Sequence, residues 1–205
     1  MKRVIFPLLF VTVTQLFAHQ ANAAVTIRIF EDGSDVAVTW SGNFNTNSTT
    51  FFAAGSANFD GVRPNTGQIF MVQGNVDYYY VSSSALPTLG PGVDRTPWDT
   101  SNGDAIFLSF GPGDRPILGL PPGYSSGSSL SGSARVNNTT VSAMGLTPGT
   151  YTLSSTNGGV TDSVSIVIEG SAASATATPV PTLPVFGLAL LAAAIAALGR
   201  RAIRR

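Results

Sequence analysis

Val25-Thr26-Ile27-Arg28-Ile29-Phe30-Glu31-Asp32-Gly33-Ser34-Asp35-Val36-Ala37-Val38-Thr39-Trp40 alternates apolar and polar residues on both sides of a turn. In an extended chain Val25, Ile27 and Ile29 share one face, opposite Thr26 and Arg28. Val36, Val38 and Trp40 repeat the pattern beyond Glu31-Asp32-Gly33-Ser34, whose residue types favour chain reversal. The stretch predicts a β-hairpin.

The same period of two continues through the middle of the chain. Runs at Thr50–Phe59, Gln68–Gln73, Val76–Ser82, Ala105–Phe110, Ser133–Ser142, Gly149–Ser155 and Val160–Glu169 read as further strands. In the last run Val164, Ile166 and Ile168 face one way, with Ser163, Ser165 and Val167 facing the other. About nine strands over residues 24–170 predict an all-β body, a single β-sandwich or a partly open barrel. Trp40, Phe44, Phe51, Phe52, Phe59, Phe70, Trp98, Phe107 and Phe110 are the expected core aromatics. Pro and Gly gather in Leu86–Gly103 and Gly111–Gly132, which read as long loops. In Leu146-Thr147-Pro148-Gly149-Thr150-Tyr151 the Pro-Gly pair predicts a sharp reversal into a strand. There Tyr151 would pack much as a tyrosine corner does.

Composition removes several chemistries. The 205 residues contain no cysteine and one histidine, His19, which with the single lysine, Lys2, lies in the first 23 residues. Residues 24–170 therefore offer no disulfide, thiol nucleophile, Cys/His zinc site, Ser-His-Asp triad or Schiff-base lysine. Charge is segregated: the 11 acids all lie between Glu31 and Glu169, alongside only Arg28, Arg63, Arg95, Arg115 and Arg135. The body carries a formal −6, and no basic patch is large enough to recruit nucleic acid by counterion release.

The ends read as routing signals. Residues 1–23 have Lys2 and Arg3 ahead of an apolar Val4–Phe17 core, then Ala21-Asn22-Ala23, the small-x-small pattern that signal peptidase accepts. Cleavage there starts the mature chain at Ala24. Residues 171–182 form a Ser/Ala/Thr/Pro linker ending in Val180-Pro181-Thr182. Residues 183–199, Leu183 to Gly199, are apolar enough and just long enough for one transmembrane helix. Arg200, Arg201, Arg204 and Arg205 in the 200–205 tail would stop transfer and stay cytoplasmic.

This tripartite end resembles the C-terminal sorting signals processed by exosortases. Val180-Pro181-Thr182-Leu183-Pro184 is most similar to the IPTL-CTERM variant, with Val180 in place of isoleucine, and more loosely to PEP-CTERM. The order of Leu120-Pro121-Pro122-Gly123-Tyr124, Ser129–Ala134, Leu146–Tyr151 and Asp162–Ile166 is similar to small secreted bacterial domains that carry such tails. The resemblance implies an exported precursor held in the inner membrane by its C-terminal helix. An exosortase-like transpeptidase then cuts near the motif and passes the body to the cell surface or the extracellular polymer.

Candidate sites in the body are sparse. Asp60, Asp77, Asp94, Asp99, Asp104 and Asp114 could supply an acid/base pair of the glycosidase kind, but most sit beside glycine, where Asp serves turns. Asp99, Asn102 and Asp104, or Glu31, Asp32 and Asp35, offer hard oxygen ligands for calcium, without an EF-hand spacing. Tyr78 and Tyr80 share a strand face opposite Tyr79 and, with Trp98, could stack on sugar rings. The plain alternative is that they cover a sheet edge. Asn47-Ser48-Thr49 and Asn137–Thr140 fit the glycosylation acceptor pattern, which Asn/Thr-rich loops also produce by chance.

The sequence thus predicts an exported, non-enzymatic surface or matrix protein needing no cofactor, with a carbohydrate-binding module as the alternative. Intact mass and N-terminal sequencing of protein from native cells should give a start near Ala24 and loss of the chain after about Val180. A product retaining Arg205 would contradict sorting.

Overall fold

The computed structural model describes residues 24–170; the signal peptide, linker, sorting motif, helix and basic tail expected at the two ends lie outside the described residues. The body is built of strands in two six-stranded sheets. The predicted hairpin forms from β1 (Ala24–Asp32) and β2 (Asp35–Asn43), with Asp32 opposite Asp35 across a two-residue loop. Gly33 supplies the positive φ (+68°) which that tight turn requires.

Twelve strands are present in place of about nine. After the hairpin come β3 (Thr50–Ala57), β4 (Gly61–Arg63), β5 (Gln68–Phe70) and β6 (Gly74–Tyr80). They are followed by β7 (Thr100–Gly103), β8 (Phe107–Phe110) and β9 (Pro116–Leu120). The last three are β10 (Ser129–Val136), β11 (Gly149–Asn157) and β12 (Val160–Ile168). One sheet runs β11-β12-β1-β2-β10-β7 and the other β3-β6-β9-β8-β5-β4. Within the first, β12 lies parallel to β1 from Ala24↔Ser163 to Ile29↔Ile168, so the first and last strands close the fold together.

The inner faces meet in one core. Val25, Ile27, Ile29, Val38, Trp40, Val164 and Ile166 from the first sheet pack with Val62, Ile69, Leu108, Leu118 and Leu120 from the second, all essentially inaccessible to solvent. Burying each aliphatic side chain contributes roughly 1.5–3 kcal/mol before entropy is counted. Both buried indoles have partners: Trp40 Nε1 donates to the Asp104 carbonyl at 3.0 Å and Trp98 Nε1 to that of Phe70 at 2.7 Å.

Several expectations are corrected. β9 falls inside the supposed Gly111–Gly132 loop yet lies near the centre of its sheet, fully buried. β7 likewise falls within the supposed Leu86–Gly103 loop. β10 begins at Ser129 and ends at Val136 rather than running to Ser142. It stops because Asn137 and Asn138 give their N–H groups to Asp99 (2.7 Å) and Asp35 (3.0 Å), with Asn138 at φ +49°. Gly149 has the expected positive φ (+159°), but in a nearly extended form that opens β11 directly, and the left-handed turn residue lies earlier, at Gly145 (φ +69°). The tyrosine-corner comparison does fit: Tyr151 Oη donates to the Thr147 carbonyl at 2.9 Å. Phe51, Phe52 and Phe59 are exposed rather than core.

Carboxylates fasten the loops. Asp162, 1% exposed, accepts the Ser163 N–H at 2.6 Å and the Asn45 N–H at 2.5 Å, tying the start of β12 to the segment after β2. Burial pushes its carboxyl above the ordinary 3.8, opposed by those two N–H groups. Between 3.8 and the raised value the folded chain keeps a proton that the unfolded chain has released. This group therefore lowers stability as pH rises through that window. Asp35 behaves oppositely. The Asn138 N–H and the Arg135 guanidinium hold its carboxyl below 3.8, so its contribution is complete above that pH and is lost as pH falls through the lowered value.

Carboxyl NMR titration should place Asp162 above and Asp35 below the ordinary range. Asp162→Ala, which leaves two N–H donors without their acceptor, should cost about 2 kcal/mol in urea unfolding. A cost near zero would show that water replaces the carboxylate.

Candidate functional site

The strand period places one side of every residue pair in the second sheet away from the core. Register fixes which side chains those are. Tyr78 pairs with Gly119, Gly119 with Phe107, and Phe107 with Phe70, forming one row across four strands. Tyr80 pairs with Ile117 and Ile117 with Ser109, whose hydroxyl accepts from Gln68 Nε2 at 3.0 Å in a second row. An outward sheet face is ordinarily polar. Here it is aromatic.

Phe70 and Phe107 are buried there with Ala57 and Val76, in a cluster separate from the inter-sheet core, and Tyr78 packs against them. Two ring ladders result. Phe59 meets Phe70 edge-on at 4.4 Å between centroids, and Phe70 meets Phe107 at 5.6 Å. Phe52 lies 4.6 Å from Tyr80, whose other contact is the Arg115 guanidinium, 4.0 Å from the ring centroid. Missing side chains shape the floor. A Cβ at Gly55 would overlap the Tyr78 ring, and one at Gly119 would press on Phe107 at 2.9 Å.

Between the ladders runs a groove of about 390 Å³ bounded by Phe52, Phe59, Phe70, Tyr78, Ser109 and Ile117, among others. A second hollow of about 230 Å³ adjoins it through Phe59 and Phe70 and is completed by Arg63, Gln68 and Arg95. Neither is lined by a carboxylate. Phe52 and Phe59, 38% and 43% exposed, offer ring surface to solvent at its edges. Burial holds the Tyr78 phenol above its ordinary 10.0, so it stays a neutral hydroxyl at physiological pH. The chemistry on offer is apolar ring surface with a few neutral hydrogen-bonding groups in the groove and two guanidinia in the adjoining hollow.

The residues singled out from the sequence are only partly brought together. Tyr78 and Tyr80 do share the outer face, and Tyr79 turns inward against the main core. Trp98 does not join them: it is 5% exposed, in the inter-sheet core, and cannot touch a glycan. Phe52 and Phe59, read from the sequence as core, take its place. Phe52 sits at the Phe51–Ala53 register irregularity, which breaks the alternation of its strand, and Phe59 lies beyond the end of β3, where no strand period applies.

Asp99 and Asp104 flank β7, with Asn102 on the strand between them. Asp99 accepts from Asn137 and Asp104 from Ser131 (2.8 Å), at opposite ends of the β10 pairing. The four strand residues between them make five steps of extended chain, about 16 Å, too far to share one ion. Asp32 and Asp35 flank the Arg135 guanidinium, and Glu31 accepts from the Val141 N–H at 3.1 Å. Asp77 caps the Gly123 N–H at 2.8 Å. Among the described residues no cluster of three His, Asp or Glu side chains is placed to hold a metal ion.

Gly119→Val should displace the Phe107 ring, lower stability by about 1–3 kcal/mol and narrow the groove. Unchanged stability in urea would mean that the floor is not packed as described. Set against protein-family models, curated proteins and solved structures, the chain matches none, so the reading of this face rests on its own geometry.

Proposed function

We propose that this chain is an exported, non-enzymatic surface or matrix protein whose body binds polysaccharide through the outer face of its second sheet. The observation that carries the reading is the pair of aromatic ladders flanking an open groove on a face that the core does not need. Pyranose rings present apolar C–H faces edged by hydroxyls. Phe52, Phe59 and Tyr78 supply the complementary ring surface, and Ser56, Ser109 and Gln68 supply neutral hydrogen-bonding groups. A groove open to solvent suits a segment of polymer better than an enclosed metabolite.

One further feature supports the reading. Asp35, Asp77, Asp99, Asp104 and Asp162 are engaged in fastening backbone N–H groups, a structural use that leaves them dispersed around the body. Signal peptidase, an exosortase-like transpeptidase and the membrane would then be partners in routing, and the polysaccharide the partner at the destination.

Affinity electrophoresis against extracellular polysaccharides tests the binding. The protein should be retarded, and Phe52→Ala with Phe59→Ala should weaken retardation at least tenfold while urea unfolding changes by about 1 kcal/mol or less, as both rings are partly exposed. Retardation that survives the double change would remove the groove from the account.

A further inference from the structure

The five arginines of the body divide into two kinds. On the first sheet Arg28 pairs with Glu169, and Arg135 with Asp32 and Asp35. The other three are exposed: Arg63 ends β4, Arg95 lies in the segment before β7 and Arg115 directly precedes β9, and among the described residues none has a carboxylate within ion-pair distance. Asp60, Asp94 and Asp114 are close to them in sequence; Arg95 takes the Asp60 backbone carbonyl, not its carboxylate.

All three of these arginines border the aromatic face. Arg115 lies over Tyr80 at one side. Arg63 and Arg95 complete the adjoining hollow at the other, Arg95 with its guanidinium 5.4 Å from the Phe59 ring centroid. Four strand spacings separate the strands carrying Tyr80 and Arg63, about 19 Å. Positive charge thus stands at both sides of a ring-lined groove on a body whose formal charge is −6.

We infer that the groove selects acidic polysaccharides, polymers of sugar rings bearing carboxylates, over neutral ones. The inference rests on the glycan reading above and names its substrate class. Rings of the polymer lie against the aromatic ladders while uronate carboxylates take bidentate hydrogen bonds from the bordering guanidinia. The acidic remainder of the body disfavours a dense polyphosphate, which places three phosphates or more where only three cations wait. A polymer with at most one charge per ring fits the spacing of charge better.

The test uses three uronate polymers, polygalacturonate, alginate and hyaluronate, each beside its carboxyl-esterified form, so that ring and linkage stay constant and only charge changes. At low salt at least one acid form should bind at least tenfold tighter than its ester, with the gap closing as salt rises. Arg63→Gln, Arg95→Gln and Arg115→Gln combined should close the same gap. Arg28→Gln, on the other sheet, should leave it open. Equal binding of acid and ester forms would overturn the charge selectivity while leaving glycan binding intact. Binding of neither form of any polymer would overturn both. Tighter binding of single-stranded DNA than of every uronate would overturn the inference in favour of nucleic acid.

Discussion

Apolar contact across the gap between two sheets carries this fold. With no cysteine in the chain, no disulfide can help, although export would permit one. Ile27, Ile29, Trp40 and Ile166 on one side and Ile69, Leu108, Leu118 and Leu120 on the other therefore hold the sheets together chiefly by burial, with hydrogen bonds between Ser82 and the Ser155-Thr156 pair at one margin. The parallel pairing of β1 with β12 joins the two ends of the body in one sheet, with β1 held between β2 and β12. Charged groups work at the margins of that core. Asp162, Asp99 and Asp35 each fix a loop by accepting backbone N–H groups that would otherwise compete for water.

That division of labour isolates the outer face of the second sheet. Its inward residues saturate the core, so nothing in the sandwich demands Phe59, Phe70, Phe107 and Tyr78 on the opposite side. They nevertheless form their own small cluster, with Gly55 and Gly119 leaving room for the Tyr78 and Phe107 rings to lie low on the sheet. Stability alone would be served by Thr or Val there. Exposed aromatic surface carries an association hazard that a solvated face does not. In the proposed function this face meets a ligand, and the arginines at its two sides would give that ligand a sign.

Much of the fold was legible because a period of two survives in half-buried strands. Val25–Ile29, Val36–Trp40 and Val164–Ile168 announced both their extended form and their buried side. β9 was not legible for a physical reason. A strand buried on both faces, Pro-Ile-Leu-Gly-Leu, has no alternation to display, and its flanking prolines and glycines resemble loop punctuation. The run of apolar residues was the available signal. The site was half legible: Tyr78-Tyr79-Tyr80 gave the correct facing, but Phe70 reaches the groove through strand pairing, and Phe59 through a ring contact from the segment after β3, neither of which a local pattern encodes. Trp98 was expected both among the core aromatics and as a sugar-stacking ring; only the first holds, its N–H being satisfied inside by the Phe70 carbonyl.

The most direct measurement is an NMR map of acidic oligosaccharide binding on the purified protein, following aromatic and backbone signals together. The account predicts shift changes concentrated at Phe52, Phe59, Phe70, Tyr78 and Ser109, with β11 and β12 unmoved. Changes centred on the first sheet, or on the loops at the ends of β7, would contradict it.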